Sequence, residues 1–222
     1  MLSTRMWSIK PAPVTLPWYL SGGIAAQSCL AAWQPIGAAS KTESYINLAN
    51  PGTYDASVGT SPAWDSAIGW TFDGNVPQYL VTGLGVNNIL AALVRYSNRG
   101  SLNGCAFGGR VAAYNQQGFG ILPRSQADGL AQFDFGKRLT AVCVPASGVI
   151  GISGTFCFVN GAKQLGTVAG STVQTDGAYI GVYNQGGSVG SQWSGSIAAI
   201  DVFSDVLTDS QVSALTIAMQ GL

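Results

Sequence analysis

The chain has 222 residues, of which 30 are glycine, 9% are charged and none is histidine, and its ten cations balance its ten anions. This length is ordinary for one β-sandwich. Folding of a chain of this length buries roughly 70% of the surface that the unfolded chain exposes. Without net charge or a run of Lys and Arg, the sequence lacks the basic stripe that nucleic-acid binding requires. We therefore expect a glycine-rich sheet protein that does not bind nucleic acid.

The first predicted unit is an extended N-terminal arm over residues 1–20, which precedes a single sandwich domain over 21–222. Pro11, Pro13 and Pro17 favour extended chain in the arm. These prolines also prevent the continuous apolar stretch that a secretory leader needs, so no leader is expected. No apolar run of about 18 residues occurs in the sequence, so no membrane insertion is expected. The arm could fold back on its own sandwich or pack on a neighbouring subunit, and both interpretations stay open. Its candidate anchoring residues are Trp7, Ile9, Val14, Leu16 and Trp18.

Short strands between turn residues are predicted from Cys29 onward. Residues 37–63 are interpreted as a long surface loop that holds one short strand. In the predicted strand Asn88–Ser97, the side chain of Arg95 points away from those of its apolar neighbours. This alternation is typical of a half-buried strand. The predicted strands are Cys29–Trp33, Tyr45–Leu48, Trp70–Phe72, Gln78–Thr82, Asn88–Ser97, Ala106–Tyr114, Gly118–Leu122, Leu139–Val144, Thr155–Val159, Tyr179–Tyr183 and Ser196–Phe203.

One helix is predicted, at the C-terminus. Thr208 and Gln211 have the spacing of a capping box, in which each side chain satisfies a free backbone N–H of the first turn. Val212, Leu215 and Met219 then recur at helical spacing and form one apolar face. We expect this helix to cap the sandwich.

The four cysteines are Cys29, Cys105, Cys143 and Cys157. Their spacing and the lack of histidine argue against a zinc site. If Leu139–Val144 and Gly154–Asn160 form a hairpin centred near Ile150, Cys143 and Cys157 face each other. Buried free thiols are the favoured interpretation, and a cross-strand disulfide is the alternative.

Three stretches together resemble the laminin-G-like, concanavalin A-like jelly roll. Gly69–Gly74 followed by Gln78–Leu80 is similar to the entry strand of that superfamily, and Phe158–Gly161 is similar to one of its hairpins. The segments from Tyr179 through the helix are similar to its closing strands. The resemblance covers residues 64–220 and implies an all-β jelly-roll sandwich with one short C-terminal helix.

The style of the sequence also resembles members of this superfamily that tailed bacteriophages encode. This implies a non-enzymatic virion structural protein, either a capsid decoration or a tail or fibre component. Its partners would be other virion proteins or copies of itself, and it would be made in the host cytoplasm. The alternative is a carbohydrate-binding, lectin-like adhesin module that acts outside the cell on surface glycans. The two roles are compatible.

Catalysis is not expected from the side chains present. Hydrolases of the superfamily use paired carboxylates, and the retaining mechanism needs them roughly 5–5.5 Å apart. Glu43 is the single glutamate and lies in a polar stretch. Asp201, Asp205 and Asp209 are interpreted as turn and cap residues. Without histidine, no Ser or Cys nucleophile has its usual base.

Glycan binding has several candidate residues in predicted loops. Sugars stack on exposed aromatic faces while polar neighbours bind their hydroxyls. The candidates are Trp64, Asp65, Tyr183, Asn184 and Trp193. The favoured interpretation of their aromatic rings is nevertheless that they cover the edge of the core, because large aromatic side chains are mostly buried. No metal or cofactor is predicted. Calcium is compatible with the fold but not indicated, because Asp65, Asp128 and Asp176 are isolated in the sequence and calcium needs six or more oxygens.

Overall fold

The computed structural model of the chain describes residues 16–100, 104–111, 117–124 and 130–222. Trp7, Ile9 and Val14 of the predicted arm lie outside these residues. The elements are β1 (Cys29–Trp33), β2 (Ser57–Thr60), β3 (Ala63–Asp65), β4 (Gly69–Asp73), β5 (Tyr79–Gly85), β6 (Ala91–Ser97), β7 (Phe107–Arg110), β8 (Phe119–Leu122), β9 (Leu130–Phe135), β10 (Arg138–Cys143), β11 (Gly148–Ser153), β12 (Phe156–Val159), β13 (Ala162–Lys163), β14 (Gly177–Ile180), β15 (Tyr183–Gln185), β16 (Ser188–Gly190), β17 (Ser194–Phe203) and α1 (Asp209–Gln220).

Within the described residues these strands form two sheets, of eight and nine strands. The eight-stranded sheet has the order β13-β12-β11-β6-β17-β4-β3, and β1 pairs with β17. The nine-stranded sheet has the order β10-β9-β8-β7-β14-β5-β2, with β15 joined to β7 and β16 to β15. Neighbouring strands of the two main paths pair antiparallel. The predicted all-β jelly-roll sandwich is confirmed.

The main core lies between the sheets, where alternate residues of both inner faces interdigitate. Trp33 and Trp70 come from the eight-stranded sheet, and Phe107, Phe119 and Phe133 come from the other. All five side chains are fully buried. A buried aromatic or large aliphatic side chain stabilises the fold by roughly 1.5–3 kcal/mol, so this layer is the main source of stability.

A second apolar cluster covers the opposite face of the eight-stranded sheet. Val212, Leu215 and Met219 of α1 pack there with Leu93 and Phe203. Both faces of β6 are therefore buried, since Val94 belongs to the main core and Leu93 to this second cluster. The half-buried prediction for this strand was wrong, because the helix closes the face that alternation alone assigned to solvent.

The end of the predicted arm lies in the second cluster. Trp18–Leu20 form a 3-10 turn instead of extended chain, and Trp18 packs against the cluster. Leu16, in contrast, is 56% exposed. The last residues of the arm therefore fold back on their own sandwich.

The long loop and the cysteine hairpin also differ from expectation. The segment predicted as strand Tyr45–Leu48 follows a 3-10 turn over Glu43–Tyr45, and the loop instead contains β2. Asn47 ties this loop to β1, because its side-chain amide accepts from Ala32 N and donates to Leu30 O.

β10 and β12 lie in different sheets, and Cys157 is paired across the ladder with Ile152. The hairpin prediction was wrong because Gly148–Ser153 is itself a strand. Cys157 is a free, buried thiol, and burial raises its pKa to about 12. The alternative of a disulfide with Cys143 is therefore not supported.

The predicted capping box of α1 is confirmed. Thr208 Oγ1 accepts from Gln211 N, and the Gln211 side chain accepts from Thr208 N at 2.9 Å. Within the part of the chain that the structure describes, no helix has the length and apolar character needed to cross a membrane.

Replacing Thr208 by alanine is expected to lower the free energy of unfolding by about 1 kcal/mol, because an N-terminal N–H of α1 loses its partner. Urea unfolding measures the change. Ser213→Ala, at an exposed position in the same helix, is the matched control and should be neutral or slightly stabilising. Equal effects of the two variants would contradict the role of the cap.

Candidate functional site

The face of the nine-stranded sheet that points away from the core, here called the outer face, carries an unusual row of residues. Leu80, Phe107 and Phe133 lie in the core, so their sequence neighbours point outward. Register places one outward residue of each strand beside the next. From β5 to β10 the row is Val81, Tyr179, Gly108, Gly120, Asp134 and Arg138.

Tyr183 lies on the two glycines in the middle of this row. A Cβ at Gly120 would collide with its phenol oxygen, and a Cβ at Gly108 would press on its ring. The ring is fully buried, and its Oη donates to Asp134 Oδ2 at 2.6 Å. Burial and the neighbouring Asp134 carboxylate raise the pKa of Tyr183, so the phenol keeps its proton.

Asp134 is the centre of a buried hydrogen-bond network. Its carboxylate accepts from Arg138 Nε at 2.8 Å and from Arg138 Nη2 at 3.1 Å. Gln132 Nε2 donates to Oδ2 at 3.1 Å, beside the Tyr183 hydroxyl. The hydrogen bond to Asp134 raises the pKa of Arg138, which keeps the guanidinium charged. Both carboxylate oxygens are thus occupied by donors from this face.

Arg110 adds a second cation to the network. Its Cζ lies 4.2 Å from the centroid of the Tyr183 ring, in cation–π contact. The residue is only 5% exposed. Its Nε has no hydrogen-bond partner among the described residues. Arg110 is therefore a buried cation whose nearby carboxylate, on Asp134, is already occupied by other donors.

Beside this network, the outer face presents a pair of tyrosines. Tyr79 and Tyr179 stack with ring centroids 5.3 Å apart and planes at 15°. Both side chains are partly exposed. A Cβ at Gly59 of the edge strand would collide with the Tyr79 ring, so glycine there lets the ring lie across β2. The result is an aromatic surface at the edge of the sheet.

The glycan candidates from the sequence are mostly buried. Tyr183, Asn184 and Trp193 are 0%, 4% and 1% exposed, so these candidates are not accessible, and the two rings are buried as the favoured interpretation expects. Tyr183 fills the space over the glycines, and the Trp193 ring packs edge-on against Tyr96. Asn184 bonds Gly177 O and Gly187 N and fixes the turn that follows β15.

Trp64 and Asp65 of β3 are more accessible. Trp64 packs partly against the core and donates its indole N–H to Pro35 O at 2.9 Å. Asp65 is exposed, but its carboxylate accepts from Ala67 N, as expected of a turn residue. No aromatic stack accompanies this pair in the described part of the chain, unlike Tyr79 and Tyr179.

A separate groove of about 430 Å³ lies in the loop before β2 and is lined by residues that include Gln34, Glu43, Ile46 and Leu48. Among its described lining residues Glu43 is the one acid. No group of three or more Cys, Asp or Glu side chains suited to a metal ion occurs in the described residues. Asp128 lies outside them.

Sequence reasoning missed Tyr79, Tyr179, Arg110 and Asp134. The two tyrosines stand in the segments that resemble the jelly-roll family, but there they were interpreted only as strand residues. Tyr79 and Tyr179 meet because β5 and β14, which are far apart in the sequence, are neighbouring strands of the sheet. The outward alternation of Tyr79 with Leu80 was the signal that could have identified an exposed aromatic.

No protein-family model matches the sequence, and no curated protein matches it either. Among solved structures, it is similar to domain 4 of AbnA, an extracellular GH43 arabinanase from Geobacillus stearothermophilus solved in complex with arabinotriose. Identity is 13%, the match covers 85% of this chain and 98% of that one, and the TM-score is 0.52.

Two further structures match over less of this chain. The CBM40 of the Ruminococcus gnavus IT-sialidase is 16% identical, with 57% of this chain and 81% of that chain covered and a TM-score of 0.45. The NanB sialidase of Streptococcus pneumoniae is 16% identical, with coverages of 69% and 28% and a TM-score of 0.47. Identities this low concern the fold alone. The two sheets, the core between them and the likeness to the arabinanase domain show that this chain has a jelly-roll β-sandwich fold.

Proposed function

We propose that this chain is a carbohydrate-binding module that holds a glycan on its outer face and does not catalyse a reaction. The observation that carries the proposal is the stacked, partly exposed pair Tyr79 and Tyr179. The C–H bonds of a sugar ring pack on an aromatic face, and a phenol hydroxyl is a donor and acceptor that sugar hydroxyls can bond. The fold shared with a domain whose structure holds arabinotriose supports the same function.

A binding role also suits the charges available to the chain. Glycoside hydrolysis uses two carboxylates that flank the scissile bond. Asp134, on the proposed face, is buried and already accepts from Arg138, Gln132 and Tyr183. A carboxylate that is held in this way is suited to fixing its neighbours and not to exchanging a proton with a substrate.

The experiment is a glycan panel read by calorimetry on the ligands that bind. Tyr79→Ala and Tyr179→Ala should each lower affinity about tenfold, because each removes one stacking face worth on the order of 1.4 kcal/mol. Tyr79→Phe should keep most of the affinity, since it keeps the ring.

Phe156→Ala is the matched control, because Phe156 is a 38% exposed aromatic of β12 on the other sheet. It should bind as the wild type does. A folded protein that is silent across the panel would overturn the proposal, and so would binding that is unchanged in both tyrosine variants.

The virion role and location that the sequence suggested stay predictions. They are compatible with a glycan-binding face, because a virion protein can also hold host glycans. The fold and the outer face favour the lectin-like alternative as the molecular activity.

A further inference from the structure

We propose that Arg110 binds the carboxylate of an acidic sugar, so that the outer face selects acidic glycans. This inference rests on the proposed glycan-binding function and adds the chemical class of the ligand. The inference starts from the network beside the tyrosine pair, in which Arg110 and Arg138 are two cations and Asp134 is one anion.

The carboxylate of this network, on Asp134, is already engaged by other donors. Asp134 takes two hydrogen bonds from Arg138, one from Gln132 and one from Tyr183. The ion pairs in the described part of the chain are Arg138–Asp134 and Lys163–Asp209. Arg110 takes part in neither, and its Cζ lies against the face of the Tyr183 ring.

A buried cation without a counter-ion is costly, because it has lost water and gained no opposite charge. The Tyr183 ring offsets a part of this cost through its π-electrons. A ligand anion would supply the rest. Arg110 therefore lowers the stability of the protein without a ligand, and such a cost is typical of a residue that serves binding.

Arg138 shows which anion fits a guanidinium in this setting. Its Nε and Nη2 hold the two oxygens of Asp134 in a parallel, bidentate pair. In Arg110 the corresponding Nε has no hydrogen-bond partner among the described residues. A second carboxylate, brought by a ligand, would complete the same fork geometry.

The position of Arg110 suits a ligand that also covers the tyrosines. Gly108 is the cross-strand partner of Tyr179, and Arg110 lies two residues further along β7 on the same face. Two residues of strand correspond to roughly 7 Å. One or two sugar rings can therefore rest on the aromatic pair while a carboxylate reaches Arg110.

The test uses glucuronate and glucose, which share a ring and differ in the carboxylate. In ¹H–¹⁵N spectra of the full chain, the Arg110 Nε–H resonance, assigned by its loss in Arg110→Lys, should shift with glucuronate and not with glucose. Arg110→Gln should lower affinity for acidic oligosaccharides about tenfold and leave neutral ones unchanged. It should melt no lower than the wild type, because it removes an unbalanced buried charge.

The outcomes separate this inference from the function beneath it. Glycan binding that ignores both the carboxylate and Arg110→Gln would overturn the acidic-sugar inference and leave the module function standing. A shift of the Arg110 resonance without any tyrosine-dependent glycan binding would support the anion site and overturn the module function. A marked loss of thermal stability in Arg110→Gln would show a structural role and overturn the inference.

Discussion

Asp134→Ala is expected to lower the free energy of unfolding by about 3–5 kcal/mol, the range found when one partner of a buried ion pair is removed. The side chain is fully buried and accepts four hydrogen bonds. Alanine would leave the buried Gln132 amide and Tyr183 hydroxyl without their acceptor, and would leave the half-buried Arg138 without its counter-ion. Urea unfolding of the purified variant measures the loss.

Asp209→Ala is the control, because it removes an aspartate whose ion pair is exposed instead of buried. Asp209 contacts Lys163 Nζ at 2.7 Å at the surface, with its side chain 63% exposed. Surface pairs contribute about 0–1 kcal/mol, and the position at the start of α1 adds a few tenths. A loss in Asp134→Ala no larger than in Asp209→Ala would show that the network does not hold the outer face.

The network is also the support of the proposed glycan face. Tyr179, Gly108, Gly120 and Asp134 form one continuous row of cross-strand neighbours. Tyr183 rests on the glycines and is tied to Asp134, so the strands beside Tyr179 are fixed from above as well as from the core. Rigid support of this kind lets an aromatic pair bind a ligand without first being ordered.

The elements with local signals were predicted well. The strand Cys29–Trp33 was predicted with the bounds that the structure shows. The capping box from Thr208 to Gln211 determines its own hydrogen bonds within four residues. Neither of these two features depends on a distant part of the chain. The jelly roll itself was implied by the resemblance of three stretches, in their order, to a known superfamily.

The features that failed depend on distant partners. Leu130–Phe135 was missed as a strand because Gln132 and Asp134 interrupt its apolar character, yet Tyr183 buries Asp134 from about fifty positions away. Gly148–Ser153 was missed as a strand because the conditional hairpin between Leu139–Val144 and Gly154–Asn160 made it the connection between them. The sequence leaves the positions of Tyr183 and Trp193 open, because alternation cannot show which side of a sheet another segment will cover.

Asp201 is a related failure with a measurable consequence. Interpreted from the sequence as a turn residue, it is fully buried within β17, where Oδ1 accepts from Leu93 N at 3.1 Å. Its Oδ2 has no partner among the described residues. Burial raises the pKa of this carboxyl well above its ordinary value near 3.8. Cys29, which lies near it, has its own pKa raised by burial and by that carboxylate.

Asp201→Asn is therefore expected to stabilise the protein at neutral pH by on the order of 1 kcal/mol, because asparagine needs no proton uptake to be buried in a neutral form. Because the folded-state pKa is raised, the contribution of Asp201 is fully present below the unfolded pKa near 3.8. It is lost as the pH rises from there through the folded pKa. Asparagine keeps the accepting oxygen and stays neutral, so the gain should be small at pH 4 and grow toward pH 8. Thermal unfolding at both values measures it, with exposed Asp205→Asn as the control. A gain that is independent of pH would contradict a protonated Asp201 in the native fold.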